Sequence, residues 1–146
     1  MAAVGDRNDP YGAFSFLVEI EGLVVGGFTE VTGLQLEIEV QEYREGGQND
    51  YVHRLPGPAR YATNLVLRRG LTDADTLWTW QRATAWGDVV RRNGSIVLLD
   101  ESGTEAWRWN FRGAYPVRWT GPDLRAGADA VAVESLELAH QGLTRG

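Results

Sequence analysis

The side chains able to do chemistry are few: two histidines, His53 and His140, a carboxylate pair at Glu37 and Glu39, and four serines at positions 15, 95, 102 and 135. Neither histidine has a second histidine or a carboxylate at ligand spacing on one helix, so a metal centre would need distant partners. No serine sits in a GxSxG elbow, and all four fall in strand-like or turn-like segments. Glu37 and Glu39 have the chemistry of a glycosidase pair. At spacing i, i+2 they also fit the wet face of a strand, and that is the expected role. "GLVVGGF" (22–28) does not match GxGxxG, and no strand–loop–helix surrounds it, so its glycines are read as turn and bulge formers. These residues predict no catalytic centre, no metal and no cofactor.

The elements that would position them come from 146 residues, a length suited to one domain over 1–146, with an N-terminal arm at 1–10. Hydrophobic residues make up 43%, including six tryptophans and five tyrosines, enough for a core or an interface. There is no cysteine, which excludes disulfides and thiolate chemistry and fits a reducing compartment. Net charge is −6 and all 14 basic residues are arginine. An acidic chain without a basic stripe is poorly suited to gripping nucleic acid, though it can surround it. The polar start MAAVGDRNDPYG does not read as a signal peptide, and no apolar run approaches the roughly 20 residues that span a bilayer.

Period-two alternation dominates the chain. It predicts strands over 13–22, 23–33 (interrupted at Gly26–Gly27), 34–45, 60–70, a hairpin and further strand across 94–122, and 129–142. The clearest is "LQLEIEVQEYRE" (34–45). Leu34, Leu36, Ile38 and Val40 share one face, expected to meet a core. Gln35, Glu37, Glu39 and Gln41 share the other, expected to meet water. Residues 100–103 are expected to turn, and Pro116 marks an edge or a strand start. Between 44 and 58 lies a wet stretch rich in glycine and proline, read as a long extended loop.

One helix is expected, over about 72–86, with Thr72 as N-cap, Asp75 completing a capping box and Gly87 as the stop. At about 100° per residue, Trp78 and Trp80 point in nearly opposite directions. One can lie on the protein's own sheet while the other faces outward, and an outward tryptophan hints at a partner. Trp78, Trp80 and Arg82 are the contact candidates on this helix. The fold class is therefore mainly β (α+β), with about eight or nine strands and one helix.

Taken in order, "DPYGAFSFLVEIEGLVVGGFTEVTGL", "EYREGGQNDYVHRLPG", "LVLRRGLTD", "LWTWQ", "AYPVRWTGP" and "VAVESLELAHQGL" carry a resemblance over about residues 9–143. The chain resembles the tail tube proteins of contractile injection systems: contractile phage tails, bacteriocin-like particles, extracellular injection systems and, distantly, the type VI secretion tube protein. Arginines in "RRG" and "PVRW", where relatives often carry lysine, follow the chain's arginine bias.

The resemblance implies a structural protein of two packed antiparallel sheets in a barrel-like sandwich with one outer helix. Six copies would close edge to edge into a ring with a continuous inner β-barrel. Rings would stack into a tube within a sheath, with baseplate and spike proteins at one end and a terminator at the other. The bore would conduct protein or nucleic-acid cargo. It implies assembly in a bacterial cytoplasm, then residence in a phage tail or tail-like particle, without stable membrane association. It also implies an arm that docks on the next ring, carried by Tyr43, Arg44, Glu45, Gly46, Gly47, Tyr51, His53 and Arg54. Gln35, Glu37, Glu39 and Gln41 are the candidates for the bore lining. A tube-initiating copy at the baseplate is the nearest alternative. Strand count alone also admits a monomeric ligand-binding β-barrel, and the carboxylate pair a hydrolase.

Overall fold

Alternating side chains place one apolar stripe on each strand, and two such sheets bury their stripes against each other. The structure, a computed structural model, describes residues 12, 15–23, 27–43, 52–127 and 129–146. The elements run β1 (Ser15–Ile20), β2 (Glu30–Thr32), β3 (Glu37–Tyr43), β4 (His53–Arg60), β5 (Leu65–Gly70), α1 (Thr76–Ala85), β6 (Arg92–Leu99), β7 (Glu105–Thr120), β8 (Val133–Ala139) and β9 (Gly142–Arg145). The N-terminal arm at 1–10 lies outside the described residues, as does Gly26.

Seven strands form one antiparallel system in the order β1-β6-β7-β8-β5-β2, with β9 also paired to β7. It folds back on itself because β7 serves both halves. Residues 105–114 pair with β6, and 115–120 pair with β8. The switch follows Gly113, at φ 60°, a conformation that glycine adopts without strain. The sandwich is open in the single chain. Pro116 is buried within β7 rather than at a strand start. The register slips there, so two residues oppose one, and a bulge on a stretch that pairs only with β8 among the described residues accommodates the missing N–H.

Between the halves lies the core. Val18, Ile20, Ile96 and Phe111 face Leu65, Leu67, Leu136 and Leu138, and Leu77 and Trp80 of α1 close the packing. A Cβ on Gly94 would strike the Phe111 ring and the Glu19 carbonyl, so glycine there lets the ring lie flat on β6. The 100–103 turn forms as expected. The Asp100 carboxylate accepts from the Ser102 hydroxyl (2.7 Å) and from the Thr104 N–H (2.9 Å). Those bonds hold its pKa below the ordinary carboxylate value.

Two expectations are corrected. α1 starts at Thr76, with Asp75 in the N-cap position and no side-chain capping bond. Thr72 Oγ1 instead accepts the Ala74 N–H (3.2 Å) in a local turn. Leu71 N–H donates to Ala132 O and Arg69 Nη2 to Ala74 O, so this stretch is tied to the sheet rather than coiled. The stop at Gly87 holds, with φ 92°. Second, the end of the loop expected over 44–58 is a strand: 53–60 is β4, paired with β3 from Tyr43↔His53 to Glu37↔Arg60. Its prolines and glycine read as breakers, yet Gly57 and Pro58 sit together opposite Glu39 as a bulge, which the ladder tolerates. Residues 44–51 lie outside the described residues.

Candidate functional site: a projecting hairpin with an uncovered apolar face

The hairpin β3–β4 is a separate two-stranded sheet that pairs with no other strand among the described residues. The expectation that one face of β3 meets a core fails within the single chain. Leu36, Ile38 and Val40 are 59%, 57% and 51% exposed, and Leu55 on β4 is 48% exposed. A two-stranded ribbon is marginal by itself in water, and its apolar side calls for a cover.

The root of the hairpin is anchored. Thr63 Oγ1 donates to Gln35 Oε1 (2.8 Å), and Asn64 Nδ2 donates to Glu137 Oε2 (2.9 Å). Tyr61 packs on His140, with ring centroids 5.3 Å apart. Burial pushes the His140 pKa below its ordinary value. Gly33, at φ 94°, turns the chain into the hairpin beside the Asn64 carbonyl, where a side chain would collide.

The lumen candidates Glu37, Glu39 and Gln41 share one face of β3 by parity, and Gln35 precedes them at the root. Glu37 pairs with Arg60 (3.4 Å). Tyr43 and His53 stack at the far end of the ladder, with centroids 6.1 Å apart, and Arg54 lies opposite Glu42. Arg44, Glu45, Gly46, Gly47 and Tyr51 of the expected docking arm lie outside the described residues.

On α1, the structure separates the tryptophans. Trp80 is buried, its indole N–H donating to Val90 O (2.9 Å) and its ring under the Arg92 guanidinium, so it offers no outer contact. Trp78 is half exposed, edge-on against Trp119 at 4.9 Å. With Arg82 and the 80% exposed Trp86 it borders an open apolar groove. Trp86 was missed from the sequence because it follows the last helical turn, where helical phase no longer predicts a direction.

Glu37 is engaged by Arg60, and no cluster of three metal-ligating side chains occurs among the described residues. No helix among them is long and apolar enough to cross a membrane.

Comparison with known proteins fits a building block. Residues 12–144 match the family described as T4-like virus tail tube protein gp19. A chain of the anti-feeding prophage (AFP) baseplate is 29% identical, with a TM-score of 0.82, over 95% of this chain and 97% of that one. A chain of the PVC extracellular contractile injection system sheath-tube complex is 26% identical, with a TM-score of 0.83, over 95% and 93%. Hcp1 from Flavobacterium johnsoniae, 14% identical with a TM-score of 0.57 over 91% and 95%, shares the fold. No curated protein sequence matches. A sheet sandwich of this topology, with an uncovered hairpin and a family match over nearly its whole length, is a tube subunit: the chain belongs to the T4-like tail tube protein family.

Proposed function

We propose that six copies close into a ring and that rings stack into the inner tube of a contractile injection system. The observation that carries this reading is the hairpin. Its apolar side, Leu36, Ile38 and Val40, has no cover among the described residues, and a neighbouring copy supplies one. The match to a chain of a six-fold symmetrised baseplate supports six. Matches to a sheath-tube complex, a tube-terminating cap and a sheath/tube terminator support a sheath outside and a terminator at one end. Baseplate and spike proteins take the other end. The protein assembles in a bacterial cytoplasm, ends in a tail-like particle and performs no catalysis itself.

Tyr43, His53 and Arg54, with Arg44, Glu45, Gly46, Gly47 and Tyr51, carry the contact to the next ring. Gln35, Glu37, Glu39 and Gln41 line the bore. An acidic, hydrogen-bonding wall repels nucleic acid. Trp78, Arg82 and Trp86 form the outer contact with sheath or neighbour.

Negative-stain microscopy with light scattering tests the reading. The full chain is expected to give rings or hollow tubes. A variant lacking residues 45–50 should give rings that no longer stack. A uniform species near the 16.2 kDa monomer mass, even with sheath and baseplate proteins co-expressed, would exclude a tube subunit.

A further inference from the structure

The wet face of the hairpin is not polar throughout. In an antiparallel ladder, residues directly opposite each other point to the same face. The register Glu37↔Arg60, Gln41↔Leu55 and Tyr43↔His53 therefore brings Leu55 and His53 onto the face of Glu37, Glu39 and Gln41. Tyr43 belongs to that face by its own parity along β3. Ile38, Val40 and the pair Glu42↔Arg54 take the opposite face. Alternation along β3 alone hides this, because the aliphatic residue comes from β4.

Three side chains thus make an apolar patch among polar neighbours. Tyr43 is 52% exposed and Leu55 48%. The Tyr43 and His53 rings lie 6.1 Å apart, tilted by 33°. Gln41, opposite Leu55, leans away from it. A Cβ on Gly57 would stand 3.3 Å from Gln41 Cγ, so the amide side chain occupies the space that glycine leaves and Leu55 stays open. Toward the hairpin root the charge returns. Glu37 is neutralised by Arg60 (3.4 Å), whereas Glu39, between Glu37 and Gln41, makes no ion pair among the described residues.

We propose that Tyr43, His53 and Leu55 form a contact patch on the bore wall for unfolded protein cargo, with Glu39 beside it to receive a basic side chain. The inference rests on the bore reading of Gln35, Glu37, Glu39 and Gln41 and names what that wall holds. Tyrosine offers a large amphipathic surface at low entropic cost, and Leu55 extends it with aliphatic area. An unpaired carboxylate at the edge selects by charge, favouring lysine or arginine and opposing phosphate. An aromatic ring also stacks on nucleobases, but the phosphates of such a strand would meet Glu39 and a subunit of net charge −6. The fitting ligand is therefore a polypeptide stretch that mixes apolar and basic residues. Each patch is small and its contact weak. Repetition around and along the tube holds the chain by avidity, and weak contacts let go one at a time, so held cargo still moves when driven. Tyr43 and His53 end the ladder beside 44–51, the stretch read as the arm to the next ring, which puts the patches at ring junctions.

Assembled tubes of the full chain test this with a dye-labelled, unstructured peptide of leucine, tyrosine, lysine and glycine. Fluorescence anisotropy is expected to show saturable binding. Leu55→Thr, which keeps strand propensity, and Leu55→Gln are each expected to weaken it at least ~10-fold, while Leu55→Met retains it. Leu55 is not among the ring-to-ring contacts, so tubes of these variants should still form on negative-stain grids. Glu39→Gln is expected to weaken binding of the lysine peptide and to leave a counterpart without lysine unchanged. Leu55→Thr and Leu55→Gln tubes that bind like the parent overturn the patch, and so does single-stranded oligothymidine bound as tightly as the peptide. A separate measurement reads the bore. The chain has no cysteine, so Glu39→Cys reports without background. In tubes its thiol is expected to react with a small maleimide and to be shielded from a polymer-linked one. Reaction with both puts this face outside and overturns the bore reading and the patch with it. Shielding together with unchanged binding in the Leu55 variants overturns the patch alone. Failure to form rings or tubes under any condition overturns both.

Discussion

Arg69 and Glu134 are cross-strand partners on β5 and β8, and both side chains are about 3% exposed. Arg69 Nε lies 3.3 Å from Glu134 Oε1, Nη2 donates to Ala74 O at 3.5 Å, and the guanidinium sits over Phe28. Ions buried this far are costly unless paired, so removing one is worse than removing both. Glu134→Ala is expected to lower stability in urea by about 3–5 kcal/mol, while Arg69→Met with Glu134→Leu loses much less. An additive double variant would show that the charges do not depend on each other. His140 makes a pH prediction. Its folded pKa lies below the ordinary 6.5 because burial disfavours the imidazolium. As pH falls through 6.5, the unfolded chain takes up a proton that the folded chain refuses, so stability declines with falling pH from there. Melting temperatures between pH 7.5 and 5 should fall in the parent and flatten in His140→Gln.

At the scale of elements, period-two alternation made most of the sheet legible. Leu65 and Leu67, and Leu136 and Leu138, are buried where alternation put them, although the Leu, Ala and Glu content of 133–139 also suits a helix. Two boundaries were not legible. β4 was hidden because Pro56, Gly57 and Pro58 have local preferences against a ladder, and the pairing that overrides them is a contact with β3. The start of α1 was hidden because Thr72 has the right chemistry for a cap but is tied into the Leu71–Ala74 turn, which bonds to the Ala132 carbonyl and to the Arg69 guanidinium on β5. Of the candidate site, the two faces of β3 were legible, whereas the exposure of Ile38 and Val40 was not, since alternation marks a face as apolar without saying what covers it. The hairpin root offers a direct check. Gly33→Ala combines positive φ with a collision at Asn64 O, and Gly103→Ala has positive φ with open space around it. The positive φ alone costs about 1–2 kcal/mol. Denaturant midpoints should therefore place Gly33→Ala clearly below Gly103→Ala.

For the whole molecule, the residues that close the fold differ from those the proposed interface would use. Phe111, Leu136 and Leu138 close the sandwich, while Ile38, Val40 and Leu55 add nothing to its core. Val40→Asp is expected to leave monomer stability within about 0.5 kcal/mol, as for other exposed positions, yet to abolish ring formation. Chemical denaturation and light scattering on the same sample separate the two effects, and a variant that still assembled would remove β3 from the interface. β7 links both scales. Its sixteen residues run without a loop through both halves of the sandwich. Halves joined by a hinge could slide when pushed. Halves threaded on one strand are held together by covalent bonds and a shared ladder, so one half of the subunit resists sliding against the other.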